Sequence, residues 1–181
     1  RLSIAGDAKK DLDQQKEIKS EVEKSLATIE REVSSKIEQL ALRVSVFEAL
    51  KHLIVAGNVL TYLPKKGSMR VFPLSNFVCK RDASGNILEL IIKETIHPTY
   101  LDTATLEKLQ QQEEYKPDEQ CDLYTHIYKL DDKKFYTCQE VKGFKIESSI
   151  GDYPVDSLPY QALGMVRVDN EDYGRSYVEE F

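Results

Sequence analysis

A narrow apolar stripe near the start of the chain constrains the fold more than any other feature of the sequence. Between residues 9 and 42, apolar side chains recur in steps of three or four, which predicts one long amphipathic helix. The stripe extends over only about three heptads, so we expect it to pack on the body of the same protein rather than to form a coiled coil. It consists of Ile18, Val22, Leu26, Ile29, Val33, Ile37 and Leu40.

A second helix is predicted over residues 45–58. Ser45 and Glu48 have the spacing of a capping box at its start, and Gly57-Asn58 tolerates the left-handed conformation that ends many helices. The apolar positions of this helix form a wide face, which we expect to be the buried packing centre of the chain. That face comprises Val46, Phe47, Leu50, Leu53 and Ile54.

Strand patterns dominate the remaining sequence. Hairpin turns are expected at 82–86 and 131–132, whereas residues 153–163 contain two prolines and are expected to be irregular. Apolar and β-branched runs bounded by turn residues predict strands over 1–4, 59–63, 69–74, 77–80, 87–96, 122–130, 134–140, 144–150 and 165–168.

Two short helices complete the pattern. One is predicted over 102–115 with Asp102 as its N-cap, and the other begins near Tyr177, where Ser176 and Glu179 again have capping-box spacing. Helices followed by antiparallel strands define an α+β fold class, with a long N-terminal helix and a second buried helix packed on the strands. We divide the chain into a strand and long helix over 1–44 and an α+β domain over 45–181.

Charge and length exclude several classes of protein. The 181 residues carry 25 Lys and Arg against 31 Asp and Glu, a net charge of −6, whereas tight nucleic-acid binders usually have a basic excess. No apolar run reaches the roughly 20 residues that span a bilayer, so no membrane partner is expected. Cys79, Cys121 and Cys138 are scattered and odd in number, which favours reduced thiols over a disulfide framework.

No set of residues has convincing catalytic or metal-binding spacing. The closest metal set is Cys121, His126 and Cys138, but the odd separation between Cys121 and His126 places them on opposite faces of a strand. We therefore expect no enzyme activity, no metal and no cofactor. Tyrosines crowd the last part of the chain, as they do in subunit interfaces.

An acidic turn over residues 169–172 lies between two of the arginines in this C-terminal part. We expect these arginines to hold the turn by charge-assisted hydrogen bonds, within one subunit or between neighbours. The interface candidates are Arg167, Tyr173, Arg175 and Tyr177.

Several runs, read in order, resemble the portal protein family of T-seven-like short-tailed phages, also called head-to-tail connectors. The longest, residues 42–64, reads LRVSVFEALKHLIVAGNVLTYLP and is similar to a helix-and-strand segment of that family. The resemblance reaches both ends of the chain and is weakest over 9–42 and 98–120. The other runs are residues 1–4, 74–75, 81–83, 85–86, 122–128, 165–169 and 173–181.

The resemblance implies a structural role in the virion, with assembly in the host cytoplasm. Portals form a dodecameric ring at one capsid vertex, through which the terminase motor drives DNA in and through which DNA leaves into the tail. The implied partners are further copies of the chain and capsid, scaffold, terminase and tail proteins, while DNA passes without tight binding. An α+β piece of this kind resembles the portal wing.

Two further expectations concern the extent of the chain and its alternatives. It does not begin with Met and its last residues begin a helix, so we expect a piece of a longer protein. The main alternative is another virion adaptor or protein-interaction module without catalysis. An enzyme domain would need a constellation of titratable groups that the sequence does not supply.

Overall fold

Two helices separated by a sharp break open the described part of the chain. The computed structural model describes residues 16–111 and 116–180. Helix α1 (Lys16–Gln39) is followed by Leu40 and Ala41, and helix α2 (Leu42–Ala56) then begins. Ala41 adopts a left-handed φ of 50°, which L-residues other than Gly, Asn and Asp avoid, so the two helices do not continue as one. The strand predicted over 1–4 lies outside the described residues.

A three-stranded antiparallel sheet follows α2. Its strands are β1 (Asn58–Tyr62), β2 (Arg70–Pro73) and β8 (Tyr160–Gly164), in the order β2-β1-β8. The expectation that 153–163 is irregular is therefore wrong at both ends, because Tyr153 and Pro154 complete a strand of the larger sheet and residues 160–163 belong to β8. Strand β8 lies beyond both prolines of that stretch, where β1 supplies hydrogen-bonding partners from Asn58 to Tyr62.

A five-stranded antiparallel meander forms the larger sheet. Its strands follow one another in space as in sequence, and the hairpin turns predicted at 82–86 and 131–132 are confirmed. Lys142 and Gly143 join the last two strands with φ values of 46° and 85°, as a two-residue type I′ turn requires. The strands are β3 (Phe77–Arg81), β4 (Ile87–Ile96), β5 (Cys121–Lys129), β6 (Lys134–Val141) and β7 (Phe144–Pro154).

The core lies on the inner face of this larger sheet. At one end the small sheet covers it, and at the other end helix α3 (Thr103–Gln110) inserts Leu109, which is buried. Asp102 stands at the predicted N-cap of α3, although its side chain makes no capping hydrogen bond. Short 3₁₀ turns and a last helix, α4 (Tyr177–Glu180), complete the fold. The main core cluster contains Leu60, Phe72, Phe77, Cys79, Leu90, Ile92, Ile127 and Phe135.

Helix α2 is not the buried packing centre that the sequence predicted. Phe47 is 61% exposed and Leu50 and Ile54 are close to half exposed, whereas Ala49 is the buried residue of the helix. The helix lies on a sheet of only three strands, which covers one narrow side of it. No second layer covers the wider apolar side within the described residues.

The capping box predicted at Ser45 is also wrong. The helix begins at Leu42, so Ser45 lies within its first turns, and its hydroxyl donates to the backbone carbonyl of Met69 at 3.0 Å. Gly57 ends the helix as predicted, because its φ of 70° lets its N–H reach the carbonyl of Leu53.

The stripe on α1 does not pack on the body of the chain as expected. Ile29 and Val33 are about half exposed, and Ile37 is also exposed. The left-handed break at Ala41 ends α1 before α2 begins, so the period of the stripe is helical, but the described residues do not bury these three side chains.

Candidate functional site

Residues 165–180, here called the closing segment, are tied to the start of β1. Asn58 makes a reciprocal pair of hydrogen bonds with Gly174: its Nδ2 donates to the Gly174 carbonyl at 2.6 Å, and its Oδ1 accepts from the Gly174 N–H at 2.7 Å. A Cβ on Gly174 would lie 2.9 Å from the carbonyl oxygen of Val166, so this close approach requires glycine. The segment is thereby fixed to the small sheet.

Arg81 at the end of β3 connects this segment to both sheets. Its guanidinium donates to the carbonyl of Gly85 at 2.8 Å, of Ala162 at 2.6 Å and of Asp172 at 3.1 Å. Its backbone N–H also donates to the Asp172 carboxylate at 2.6 Å. One side chain therefore joins the β3–β4 turn, β8 and the closing segment, a role that no sequence motif indicated.

Two of the four predicted interface residues are engaged with the body of the chain. The Tyr173 hydroxyl accepts a hydrogen bond from the backbone N–H of Cys79 at 3.0 Å, and its ring packs against Phe77 with centroids 6.5 Å apart. Arg167 remains exposed, but its guanidinium donates to the carbonyl of Gly85 at 2.9 Å.

The other two interface candidates lie around the start of α4. Arg175 is about half exposed and lies 3.6 Å from Glu171 and 3.9 Å from Glu180, which are ion-pair distances rather than the charge-assisted hydrogen bonds that the sequence predicted. The capping box before Tyr177 is confirmed. Glu179 accepts from the Ser176 N–H at 2.8 Å, and the Ser176 hydroxyl accepts from the Glu179 N–H at 3.1 Å. Tyr177 is exposed.

Two apolar helix surfaces are uncovered in the described part of the chain. The first, here called the α1 stripe, consists of Ile29, Val33 and Ile37. The second, here called the α2 face, consists of Val46, Phe47, Leu50 and Ile54, and all seven side chains are exposed. Large apolar side chains clustered in this way are typical of interaction surfaces. The sequence identified both sets, but it predicted that the first packs on the body of the chain and that the second is buried.

The outer face of the five-stranded sheet is aromatic. His126, Tyr128 and Tyr136 lie side by side across β5 and β6, with ring centroids 4.9 and 5.0 Å apart. The His126 Nε2 lies 2.7 Å from the Glu89 carboxylate on β4. Lysines and carboxylates both border these rings, as in protein interfaces with an aromatic centre and a charged rim.

The cysteines have structural positions. All three are buried and free. Cys121 and His126 lie on opposite faces of β5, as the odd separation predicted, and Cys138 is the cross-strand neighbour of His126. Burial raises the pKa of the Cys79 and Cys121 thiols, which lowers their thiolate fraction and their reactivity.

The described parts of the chain contain neither a metal-binding cluster nor a membrane-spanning helix. Over residues 16–111 and 116–180, no three His, Cys, Asp or Glu side chains meet as a metal site would require. No described helix combines the length and the apolar character that crossing a bilayer demands.

A layered α+β body with a tethered C-terminal segment and uncovered apolar helix surfaces is typical of a class of structural proteins that assemble through such surfaces. The sequence identifies the family within that class. The model of the bacteriophage head to tail connecting protein family matches residues 1–181, and the chain belongs to that family.

Three relatives show how much of a longer protein the chain represents. It is 41% identical to the portal protein of Escherichia phage T7 over 169 residues, which cover 90% of this chain and 32% of the relative. Identity to the portal protein of Enterobacteria phage T3 is 40%, with 90% and 31% covered, and to that of Enterobacteria phage SP6 it is 30%, with 100% and 36% covered. The chain thus spans about a third of the length of these relatives.

Proposed function

We propose that this chain is part of the wing of a phage portal, a structural ring at the capsid vertex through which DNA is packaged and ejected. The observation that carries the proposal is the family match along all 181 residues. The architecture agrees with a structural role, because side-chain hydrogen bonds between residues far apart in the sequence join secondary-structure elements to each other. Arg81 is the main example.

The geometry also supports assembly into a ring. A ring needs heterologous contacts, in which two different surfaces of each subunit meet. Helix α2 covers the small sheet on one side of the body, and the aromatic outer face of the five-stranded sheet lies on the other side. In the proposal, twelve copies form the ring in the complete protein, and its other partners are capsid, scaffold, terminase and tail proteins.

The charge supports passage of DNA without tight binding. A net charge of −6 disfavours phosphate contacts, and a repulsive surface lets DNA slide where a basic lining would hold it. In the proposal the chain performs no catalysis. It acts in the virion after assembly in the host cytoplasm.

A chimeric portal tests the proposed function. The 181-residue chain would replace the matching segment of the T7 portal protein, to which it is 41% identical. We expect rings in negative stain and rescue of a phage that lacks its own portal gene. A chimera with Leu90→Asp, which places a charge in the core, is the control without rings. A chimera that folds but remains monomeric would contradict the proposal.

Arg167, Tyr173, Arg175 and Tyr177 remain interface candidates within this proposal, with Arg175 the most readily tested. Its guanidinium is about half exposed beside Glu171 and Glu180. In the chimera, Arg175→Ala should reduce the yield of rings without changing thermal stability, and Lys142→Ala on the exposed β6–β7 turn is the matched control. Unchanged ring yield and packaging titre would remove Arg175 from the interface.

A further inference from the structure

Helix α1, here called the arm, is long, and its apolar stripe is uncovered within the described residues. Its 24 residues span about 36 Å. The α1 stripe (Ile29, Val33 and Ile37) is exposed along it, and the left-handed break at Ala41 separates the arm from the body. An apolar stripe on an arm of this length is a surface that another helix face can cover.

The α2 face has a matching form. Val46, Leu50 and Ile54 recur every four residues, and Phe47 lies beside them, so the face is about 12 Å long. The α1 stripe extends over the same eight-residue interval. Two helix surfaces of equal length and similar side-chain size can interdigitate along their contact.

Charge distinguishes the borders of the two surfaces. At 100° per residue, Lys51 borders the α2 face, and its ammonium lies 4.7 Å from the centre of the Phe47 ring. Arg43 stands in line with the face one turn before Val46, where its guanidinium pairs with Glu38 of α1 at 3.3 Å. Glu48, the carboxylate of this helix, lies on the opposite side.

The border of the α1 stripe is mainly acidic. Glu23 and Glu30 lie along one side and Glu32 along the other, with Lys36 as a single cation near the end. Two arms would therefore repel each other, and so would two α2 faces. An arm against an α2 face brings opposite charges together.

We propose that α1 of one copy of this chain lies along the α2 face of a neighbouring copy. This inference rests on the proposed function and deepens it, because a ring places a second copy beside each subunit. The contact joins two different surfaces, so it propagates from copy to copy and closes when the rotation permits. It also covers the two helix surfaces that are exposed in the described part of the chain.

The size of the contact determines how it must be detected. Seven side chains, most of them about half exposed, offer on the order of 400 Å² of apolar surface. Stable interfaces bury roughly 1,200–2,000 Å² in total, so this contact alone is weak. Covalent trapping suits it better than size-exclusion chromatography.

Disulfide trapping between two variants of the 181-residue chain tests the proposal. Val33→Cys and Leu50→Cys are prepared separately, both at exposed positions, while the three native cysteines are buried. After mixing and mild oxidation, we expect the mixed disulfide to exceed either homodimer several-fold. Val33→Cys mixed with Val78→Cys, at an exposed site on the large sheet, is the matched control.

Each other outcome overturns the proposal. A yield equal to that of the control pair excludes the contact. Dominant Val33→Cys homodimers indicate a coiled coil of arms, and dominant Leu50→Cys homodimers indicate a two-fold α2 pair.

A charge exchange tests the electrostatic part of the proposal. Lys51→Glu in the Leu50→Cys variant should lower the yield of mixed disulfide several-fold. Glu23→Lys with Glu32→Lys in the Val33→Cys variant should restore it. A yield of mixed disulfide that does not change with these charge exchanges overturns the proposed pairing of α1 with the α2 face.

The two proposals fail independently. Chimeric rings without the mixed disulfide leave the portal role intact and overturn the arm contact. A mixed disulfide in a chain whose chimera forms no rings leaves the arm contact intact and overturns the portal role.

Discussion

Arg81 shows how much of this fold depends on a single side chain. Its guanidinium satisfies three backbone carbonyls from three separate parts of the chain. Arg81→Ala leaves the Ala162 and Asp172 carbonyls without their charged donor, while Arg167 still donates to Gly85, so the free energy of unfolding should fall by about 2–4 kcal/mol. Urea denaturation measures the loss. Its exposed neighbour supplies the control, since Lys80→Ala should change stability by less than about 0.5 kcal/mol.

Gly57 is held by close packing as well as by its backbone conformation. A Cβ at this position would lie 2.5 Å from the backbone nitrogen of Ser176, whereas Gly143 has a similar positive φ and no atom within 4 Å of its Cβ position. Gly143→Ala should therefore cost only about 1 kcal/mol, from backbone strain. Gly57→Ala should cost about 2–4 kcal/mol, because the closing segment must also move. Equal losses in thermal denaturation would refute this role of the segment.

At the scale of elements, the same spacing of serine and glutamate has two outcomes. Ser176 and Glu179 form the reciprocal hydrogen bonds of a capping box, because the chain before Ser176 is held by the pairing of Arg175 with Val166 and of Gly174 with Asn58. Ser45 and Glu48 do not, because the break at Ala41 starts the helix earlier and the Met69 carbonyl accepts from the Ser45 hydroxyl. The spacing of serine and glutamate makes a capping box possible, but contacts with the rest of the chain determine whether the helix begins there.

Because α2 is exposed, truncating Phe47 should lower the free energy of unfolding less than truncating a core residue. Phe47→Ala should lower the free energy of unfolding by less than about 1 kcal/mol, since its side chain is already mainly in solvent. Leu60→Ala in β1, where the side chain is fully buried, should cost about 2–5 kcal/mol. Chemical denaturation of both variants makes the comparison. A loss at Phe47 that equals the loss at Leu60 would mean that α2 is covered in the isolated chain.

At the scale of the whole molecule, the acidic balance predicts weak binding to DNA. The net charge of −6 offers few phosphate contacts, so we expect a Kd for duplex DNA above about 1 µM at physiological salt. Fluorescence anisotropy across a salt series measures both the affinity and its salt dependence. Submicromolar binding would show that a local basic surface outweighs the net charge.

The layer order of the molecule explains which surfaces are available. The core lies between the two sheets and under α3, so the outer side of α2 and the outer face of the large sheet have no covering layer in the described residues. Obligate assemblies resemble a domain core divided between subunits, and uncovered apolar surfaces are what each subunit contributes to it.

The sequence by itself determined the elements of this protein and its family. Strand periods, turn residues and helix ends are local properties, so β1 to β7, the two hairpin turns and the end of α2 at Gly57 all follow from neighbouring residues. The ordered runs resembling portal proteins are also a property of sequence, and the family match along the whole chain confirms that resemblance.

Only the tertiary structure decided which apolar surfaces are covered. Periodicity places Phe47, Leu50 and Ile54 on one side of a helix, but it carries no information about whether another layer lies there. Strand β8 required β1 as a distant partner, and Tyr173 entered the body because the closing segment returns to β3. Burial depends on contacts between residues far apart in the chain, and a pattern of neighbours cannot specify those contacts.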